Sequence, residues 1–350
     1  MNRLGWVAAN VTATDLARGL EAFREIAAAA AFPLISANVV FQDTEEPVFE
    51  PYVLRSFPWR GEEPLRVAIL GLARENPGFL ERTADGRKVV LSSALGAAAR
   101  WVPELAKQAD VLVLLSDLPP SQLRSLLFQL PGIDVALAGS GGQVSADVAT
   151  PPVSSVVYGG DQGKRVGEVR LFFGSQRLVQ VTASHVFLDG RYPSDARMKA
   201  FEDTANVRIN DHYREMAEQE AFEAAELPTA RQYVGSGKCS SCHEEAFRVW
   251  KESGHAHAMG TLVDRQQEYS PLCVGCHVTG DRKPGGFHNL KATPELADVQ
   301  CEACHGPGGG HVENPSRSYG STGFADCVVC HTSENSPEFD PTSYWERIRH

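Results

Sequence analysis

The sequence predicts two unlike halves: an α/β layered domain over residues 1–190 and a mostly α, loop-rich domain over 233–350, joined by a linker helix within 191–232. Three observations predict this. Apolar runs of strand length alternate with helical periodicities through the first half. A stretch after Arg191 repeats apolar residues at steps of three or four. All eight cysteines lie beyond residue 238, in a segment from Tyr233 to His350 that holds only 18 Leu, Ile, Val or Phe.

In the first half, Asp15 to Ala30 is rich in Ala, Leu, Glu and Arg and reads as a helix. Pro33–Val40, Arg66–Leu72 and Asp110–Ser116 are near-continuous apolar runs, the pattern of strands buried on both faces. Ser93–Gln108 and Ser121–Leu130 read as helices and Ile133–Ala138 as a further strand. Val153–Tyr158, Gly167–Phe173 and Leu178–Leu188 follow as a more antiparallel run. In the linker, Met198, Phe201, Ala205, Ile209, Tyr213 and Met216 form one stripe from Arg191 toward Leu227, the mark of an amphipathic helix whose methionines serve packing.

Forty-four acidic against 33 basic residues give a net charge of -11, which excludes a nucleic-acid partner that needs a basic face. No apolar run is long enough for a transmembrane helix.

The cysteines fall into four pairs, each followed at once by histidine: Cys239-x-x-Cys242-His243, Cys273-x-x-Cys276-His277, Cys301-x-x-Cys304-His305 and Cys327-x-x-Cys330-His331. On one helical turn, thiols at i and i+3 share a face and can form thioethers to both vinyl groups of one porphyrin. The histidine at i+4 then presents its imidazole to the iron. Zinc also takes Cys-x-x-Cys pairs, but it does not require a histidine after each second cysteine; neither does a disulfide framework. A thioredoxin-like motif needs a βαβ context that this segment lacks. The pattern is therefore that of four covalent c-type haems. A segment this poor in aliphatics would otherwise be disordered, and four large apolar cofactors supply what its side chains do not.

Nine of the eleven histidines lie in this segment. Beyond the four proximal ones, His255, His257, His288, His311 and His350 are candidates for the distal side of the irons, against a single methionine, Met259. That supply favours bis-histidine haems.

These residues resemble the tetrahaem cytochrome c five-five-four family. The matching stretches are Tyr233–Cys239, Ser253–Met259, Cys276–Gly280, Val299–Gly308, His311 and Tyr344-Trp345. The resemblance implies that His311 serves the haem of His243, His255 that of His305 and His350 that of His331. It also implies an open, high-spin second haem, at His277, a place that His257 or His288 is near enough in sequence to fill.

The first half resembles the five-prime-nucleotidase branch of the metallophosphatases. The stretches are Met1–Trp6, Phe32–Asn38, Leu114–Pro119 and Pro131–Val135. The family's metal ligands do not match. Its Gly-Asn-His-Glu motif falls on Thr12-Ala13-Thr14-Asp15, its Ser-His-Leu histidine on Asp117, and its Gly-His-x-His motif on Gly139-Ser140-Gly141-Gly142. Two-metal phosphoester hydrolysis needs carboxylate and imidazole at such places. The domain therefore reads as a catalytically dead scaffold or docking module.

Together these readings give an electron carrier with no catalytic residues of its own. One alternative is a haem enzyme acting on a small nitrogen or oxygen species at an open iron. The other is a subunit of an extracellular conductive filament or larger complex, which would need self-association. The expected partners are redox proteins or a membrane electron-transfer complex. Residues 233–350 carry 15 acidic and 10 basic side chains, which suits a partner presenting Lys or Arg. Thioether attachment takes place outside the cytoplasm, so a bacterial periplasmic or extracellular location is expected. No export signal is visible after Met1, and the true N-terminus is expected to lie upstream. Residues 233–350 made without haem should fail to fold; a dispersed, exchange-protected amide spectrum from that haem-free segment would refute this.

Overall fold

The computed structural model describes all residues except 60–61, 140–143, 161–162, 164, 175–176, 189–190, 221–227, 317–318, 321, 333–334 and 337. It divides into two compact units, Met1–Pro193 and Ser194–His350.

The first unit is built on a six-stranded mixed sheet. Its order is Val144–Asp147, Ser155–Gly159, Val135–Ala138, Val111–Ser116, Glu62–Leu72 and Tyr52–Trp59. The four central strands run parallel, in registers such as Leu70↔Leu114 and Leu114↔Ala136; both edge strands are antiparallel. Val111–Ser116 is buried along nearly its whole length, as its apolar run requires. The helices Ala94–Leu105 and Pro120–Gln129 connect successive parallel strands. The first buries Ala94, Ala98, Val102 and Leu105, one stripe at helical spacing, and begins at Ser93, whose Oγ accepts the Gly96 N–H at 3.3 Å. Leu70, Leu72, Leu114, Leu123 and Ile133 fill the core between helices and sheet.

Three elements differ from expectation. The helix predicted over Asp15–Ala30 is confined to Leu20–Ala27. Gly19 sits at φ 93°, outside helical space, and the Asp15 carboxylate instead closes a turn by accepting from the Thr12 N–H and Oγ at 2.8 Å. The strand predicted over Pro33–Val40 splits into Leu34–Ile35 and Val39–Phe41. Buried Asn38 explains the join: its side chain donates to the carbonyls of Ala73 and Ser92 and accepts from the Ala73 N–H, taking over a ladder partner's role. Tyr52–Trp59 is an edge strand that the sequence reading passed over. Most of its residues are exposed or half-exposed, so no apolar run marks it. A hairpin of Arg165–Gly174 and Arg177–Phe187 completes the antiparallel portion.

In the second unit the linker helix spans Ala196–Gln219, capped by the Asp195 carboxylate on the N–H groups of Arg197 and Met198; the rest of its predicted extent, 221–227, lies outside the described residues. Its apolar stripe is not a core face: Phe201, Ile209 and Met216 are about half exposed. The buried residue is Asn210, whose Oδ1 accepts the Tyr269 N–H at 2.8 Å, while Asn289 Nδ2 donates to the Ala217 carbonyl at 3.1 Å. These polar tethers hold the helix at Asn210 and Ala217. The remainder is short helices, 3₁₀ turns and loops around a small cluster of Met259, Leu262, Val278, Phe287 and Leu296.

Leu114 is fully buried in the central strand. Leu114→Ala should lower the stability of the first unit by about 3 kcal/mol, read as an earlier urea midpoint by circular dichroism on the intact protein.

Candidate functional site

Each Cys-x-x-Cys-His sequence forms a tight turn. In the first and fourth, the N–H of His243 donates to the Cys239 carbonyl and that of His331 to the Cys327 carbonyl, both at 2.9 Å. The third is a short helix, Cys301–His305. The second is tighter, a 3₁₀ turn at Val274–Cys276 with the His277 N–H on the Val274 carbonyl.

Three of the four motif histidines face an imidazole from elsewhere in the chain. His243 lies 6.1 Å from His311, His331 lies 6.1 Å from His255, and His305 lies 6.0 Å from His350, between ring centroids. An imidazole–metal bond is about 2 Å, and a ring centroid sits roughly 1 Å behind its nitrogen, so two imidazoles on one iron are separated by about 6 Å. The donor set and its spacing fit an iron held between each pair. Nδ1 is committed in two of these rings: His350 donates to the Ile348 carbonyl at 2.9 Å and His305 reaches the Gly320 carbonyl at 3.4 Å. A carbonyl only accepts, so Nδ1 carries the proton and Nε2 is left free to coordinate.

The His243–His311 pair agrees with the assignment implied by the family resemblance. The other two are exchanged: His255 faces His331 rather than His305, and His350 faces His305 rather than His331. The backbone accounts for the exchange. The His255 carbonyl accepts from the Val299 N–H at 3.1 Å, and the Val299 carbonyl accepts from Trp250 Nε1 at 2.8 Å. These bonds pin the His255 turn beside the entry to the third motif with its ring toward the fourth. Trp345 packs edge-on against Phe324, at the start of the fourth motif, with ring centroids 5.6 Å apart, and from there the chain carries His350 to His305.

His277 is placed differently. Its Nδ1 donates to the Ala258 carbonyl at 2.6 Å and lies 3.4 Å from Thr261 Oγ1. The contacts described for it involve neither His257, which is exposed, nor His288, whose N–H donates to Thr293 Oγ1 at 2.8 Å. Met259 is 4 % exposed within the small core and serves packing.

The cysteines bring the four motifs into sequence. The Cys239 and Cys301 thiols lie beside each other, and their interaction raises the first and lowers the second. Cys330 is pushed up to about 12 by burial and by neighbouring Cys276. Cys304, raised by burial, also feels Cys327. The second motif therefore adjoins the fourth, the fourth the third, and the third the first. Burial lowers the pKa of both His255 and His331, which keeps these imidazoles neutral as coordination requires.

The first unit has a cavity of about 510 Å³ beside the C-terminal ends of the parallel strands Val111–Ser116 and Val135–Ala138. Thr12, Thr14, Asp15, Arg74, Asp117 and Gly139 are among its lining. The positions expected to carry the metallophosphatase motifs thus do converge; Ser140–Gly142 lie outside the described residues. Burial raises the Asp117 carboxyl, although the Arg74 N–H donates to it at 2.5 Å. Among the described residues no group of three or more His, Cys, Asp or Glu is arranged to hold a metal ion.

The fold of the first unit is like that of a solved 5'-nucleotidase precursor, and part of the second unit is similar in sequence to a cytochrome family: the family described as cytochrome c554 and c-prime matches residues 238–306. Among individual relatives, cytochrome c-554 of Nitrosomonas europaea is 38% identical over 100 residues, 24% of this chain and 41% of that protein. The 2',3'-cyclic-nucleotide 2'-phosphodiesterase/3'-nucleotidase of Yersinia enterocolitica is 28% identical over 177 residues, 45% of this chain and 27% of that protein. The chain thus spans less than half the length of either curated relative. A solved 5'-nucleotidase precursor from Thermus thermophilus aligns at TM-score 0.52 and 18% identity, over 85% of this chain and 59% of its own. The sulfate thiohydrolase SoxB of the same genus aligns at TM-score 0.52 and 17% identity, over 60% and 38%.

Proposed function

We propose that this chain is a multihaem c-type cytochrome that relays electrons through four covalently attached haems, and that its phosphoesterase-like domain is an inert scaffold or docking module. The observation that carries this reading is the set of three imidazole pairs, each joining a Cys-x-x-Cys-His histidine to a second histidine at about 6 Å. Cys239, Cys242, Cys273, Cys276, Cys301, Cys304, Cys327 and Cys330 are the thioether positions. His243, His277, His305 and His331 are the proximal ligands; His311, His350 and His255 are the distal ligands of the first, third and fourth sites. Iron held there supplies reversible one-electron exchange. The protein's part is to fix the ligands, keep the imidazoles neutral and set the four sites side by side in the order second, fourth, third, first. The acidic balance of 233–350 suits a partner with a basic docking face. A relay of this kind belongs in the bacterial periplasm or outside the cell. Among the described residues no helix is long and apolar enough to cross a membrane.

A second reading rests on His277. Its Nδ1 donates to the Ala258 carbonyl, which leaves Nε2 for an iron, and the family resemblance implies that this second site is open to a small ligand.

The haem count is tested by mass and by pyridine haemochrome on protein matured with its cofactor, with four haems per chain expected. Electron paramagnetic resonance of the oxidised protein then separates the readings. One high-spin ferric signal beside three low-spin ones supports an open second site, whereas four low-spin signals leave a pure relay. His311→Ala should convert one further iron to high spin.

The scaffold reading predicts no metal-dependent hydrolysis of p-nitrophenyl phosphate or a 2',3'-cyclic nucleotide by the intact protein supplied with manganese; measurable turnover would overturn it.

A further inference from the structure

Glu302 is the second residue of the third motif and is 1 % exposed. Its carboxylate accepts from the N–H of Val234 at 3.0 and 2.9 Å, from Gly235 at 2.7 Å and from Gly308 at 2.7 Å. Every one of these groups is a donor, so the site is built for a carboxylate and not for a neutral acid. Val234 and Gly235 lead into the first motif, and Gly308 follows the third. The charge therefore sits where the first and third motifs meet, beside the Cys239 and Cys301 thiols, both of which feel it. Among the described residues no ion pair cancels it. Tyr319 closes the same region: its ring stacks on His311 at 5.0 Å and lies 6.3 Å from His305. Its hydroxyl donates to the Gly306 carbonyl, and burial together with Glu302 keeps the phenol neutral. The fourth site is surrounded differently: His331 stacks on Phe339 at 4.7 Å and meets the edge of Tyr344 at 5.5 Å.

We propose that Glu302 is a potential-setting residue whose buried negative charge holds the first and third haem sites at lower reduction potential than the fourth. The inference rests on the haem reading above. A fixed negative charge in a poorly hydrated interior stabilises the oxidised, more positive iron over the reduced one, and its effect is strongest on the nearest sites. Its backbone partners are fixed dipoles that satisfy the carboxylate without removing its net charge. Glu302 thus divides the chain of four sites into a low-potential end, first and third, and the remainder.

The test uses the intact haem-loaded protein. Haem content is measured first, and a count other than four would refute the haem reading without touching Glu302. The iron signals are then titrated against potential in the wild type, Glu302→Gln and Glu302→Asp, with His311→Ala marking the first site. In Glu302→Gln the first and third sites should rise by about tenfold in the ratio of reduced to oxidised iron at fixed potential, about 59 mV for a one-electron couple. The other two sites should hold, and Glu302→Asp should stay near the wild type. Unchanged midpoints in a fully loaded Glu302→Gln, or equal shifts in Gln and Asp variants, would overturn the proposal. If Glu302→Gln does not accumulate, the wild type still decides: first and third sites titrating below the fourth support the inference, and above it refute it.

Discussion

The second unit depends on one constraint: an imidazole from a distant segment must stand opposite the imidazole of a Cys-x-x-Cys-His turn. Everything local serves that placement. The His311 helix is carried by Gly309 and Gly310, packed so closely on Thr229 and Ala230 that a Cβ at either glycine would collide with that backbone; the Gly309 N–H also donates to the Gln232 carbonyl. The His255 turn is pinned through Val299 and Trp250, and His350 follows a helix capped by Asp340. A unit with so small a side-chain core gains its order from such tethers.

The first unit follows the opposite logic. Its order comes from apolar burial on a mixed sheet, and the polar cavity lies at the ends of the parallel strands. The positions where the fold's relatives place chemistry still converge there. At these positions the cavity is lined by the Thr12 and Thr14 hydroxyls and the Asp15 and Asp117 carboxylates, with no imidazole among them. Sheet packing tolerates changes at loop tips that metal coordination does not.

What the sequence made legible was what is local. The buried strands 66–72 and 111–116 and the helices 94–105 and 120–129 announce themselves by periodicity, and the four motifs by spacing. Exposed strand Tyr52–Trp59 has no apolar run to announce it, and the linker helix misled because its stripe is answered by Asn210, not by a core. Which motif histidine His255 and His350 each face is a tertiary fact: an imidazole is the same donor at either place, and the Val299 tether and the Phe324–Trp345 contact help to set the pairing. Glu302 went unnoticed because a glutamate between two cysteines looks like a solvated spacer. The Gly-Pro-Gly run after His305, which lets the Gly308 N–H turn back onto the carboxylate, was the available clue.

The three histidine pairs have a further consequence when their spans along the chain are compared. His243 to His311, His255 to His331 and His305 to His350 all overlap one another. No pair can be cut out with its intervening segment while the other two remain whole, and none closes before the chain has passed the third motif. Ligation at these pairs would therefore interlock the segment as a single unit of assembly: each closure costs the entropy of a long loop, and closing one loop brings the ends of the overlapping loops nearer, so the pairs would support one another.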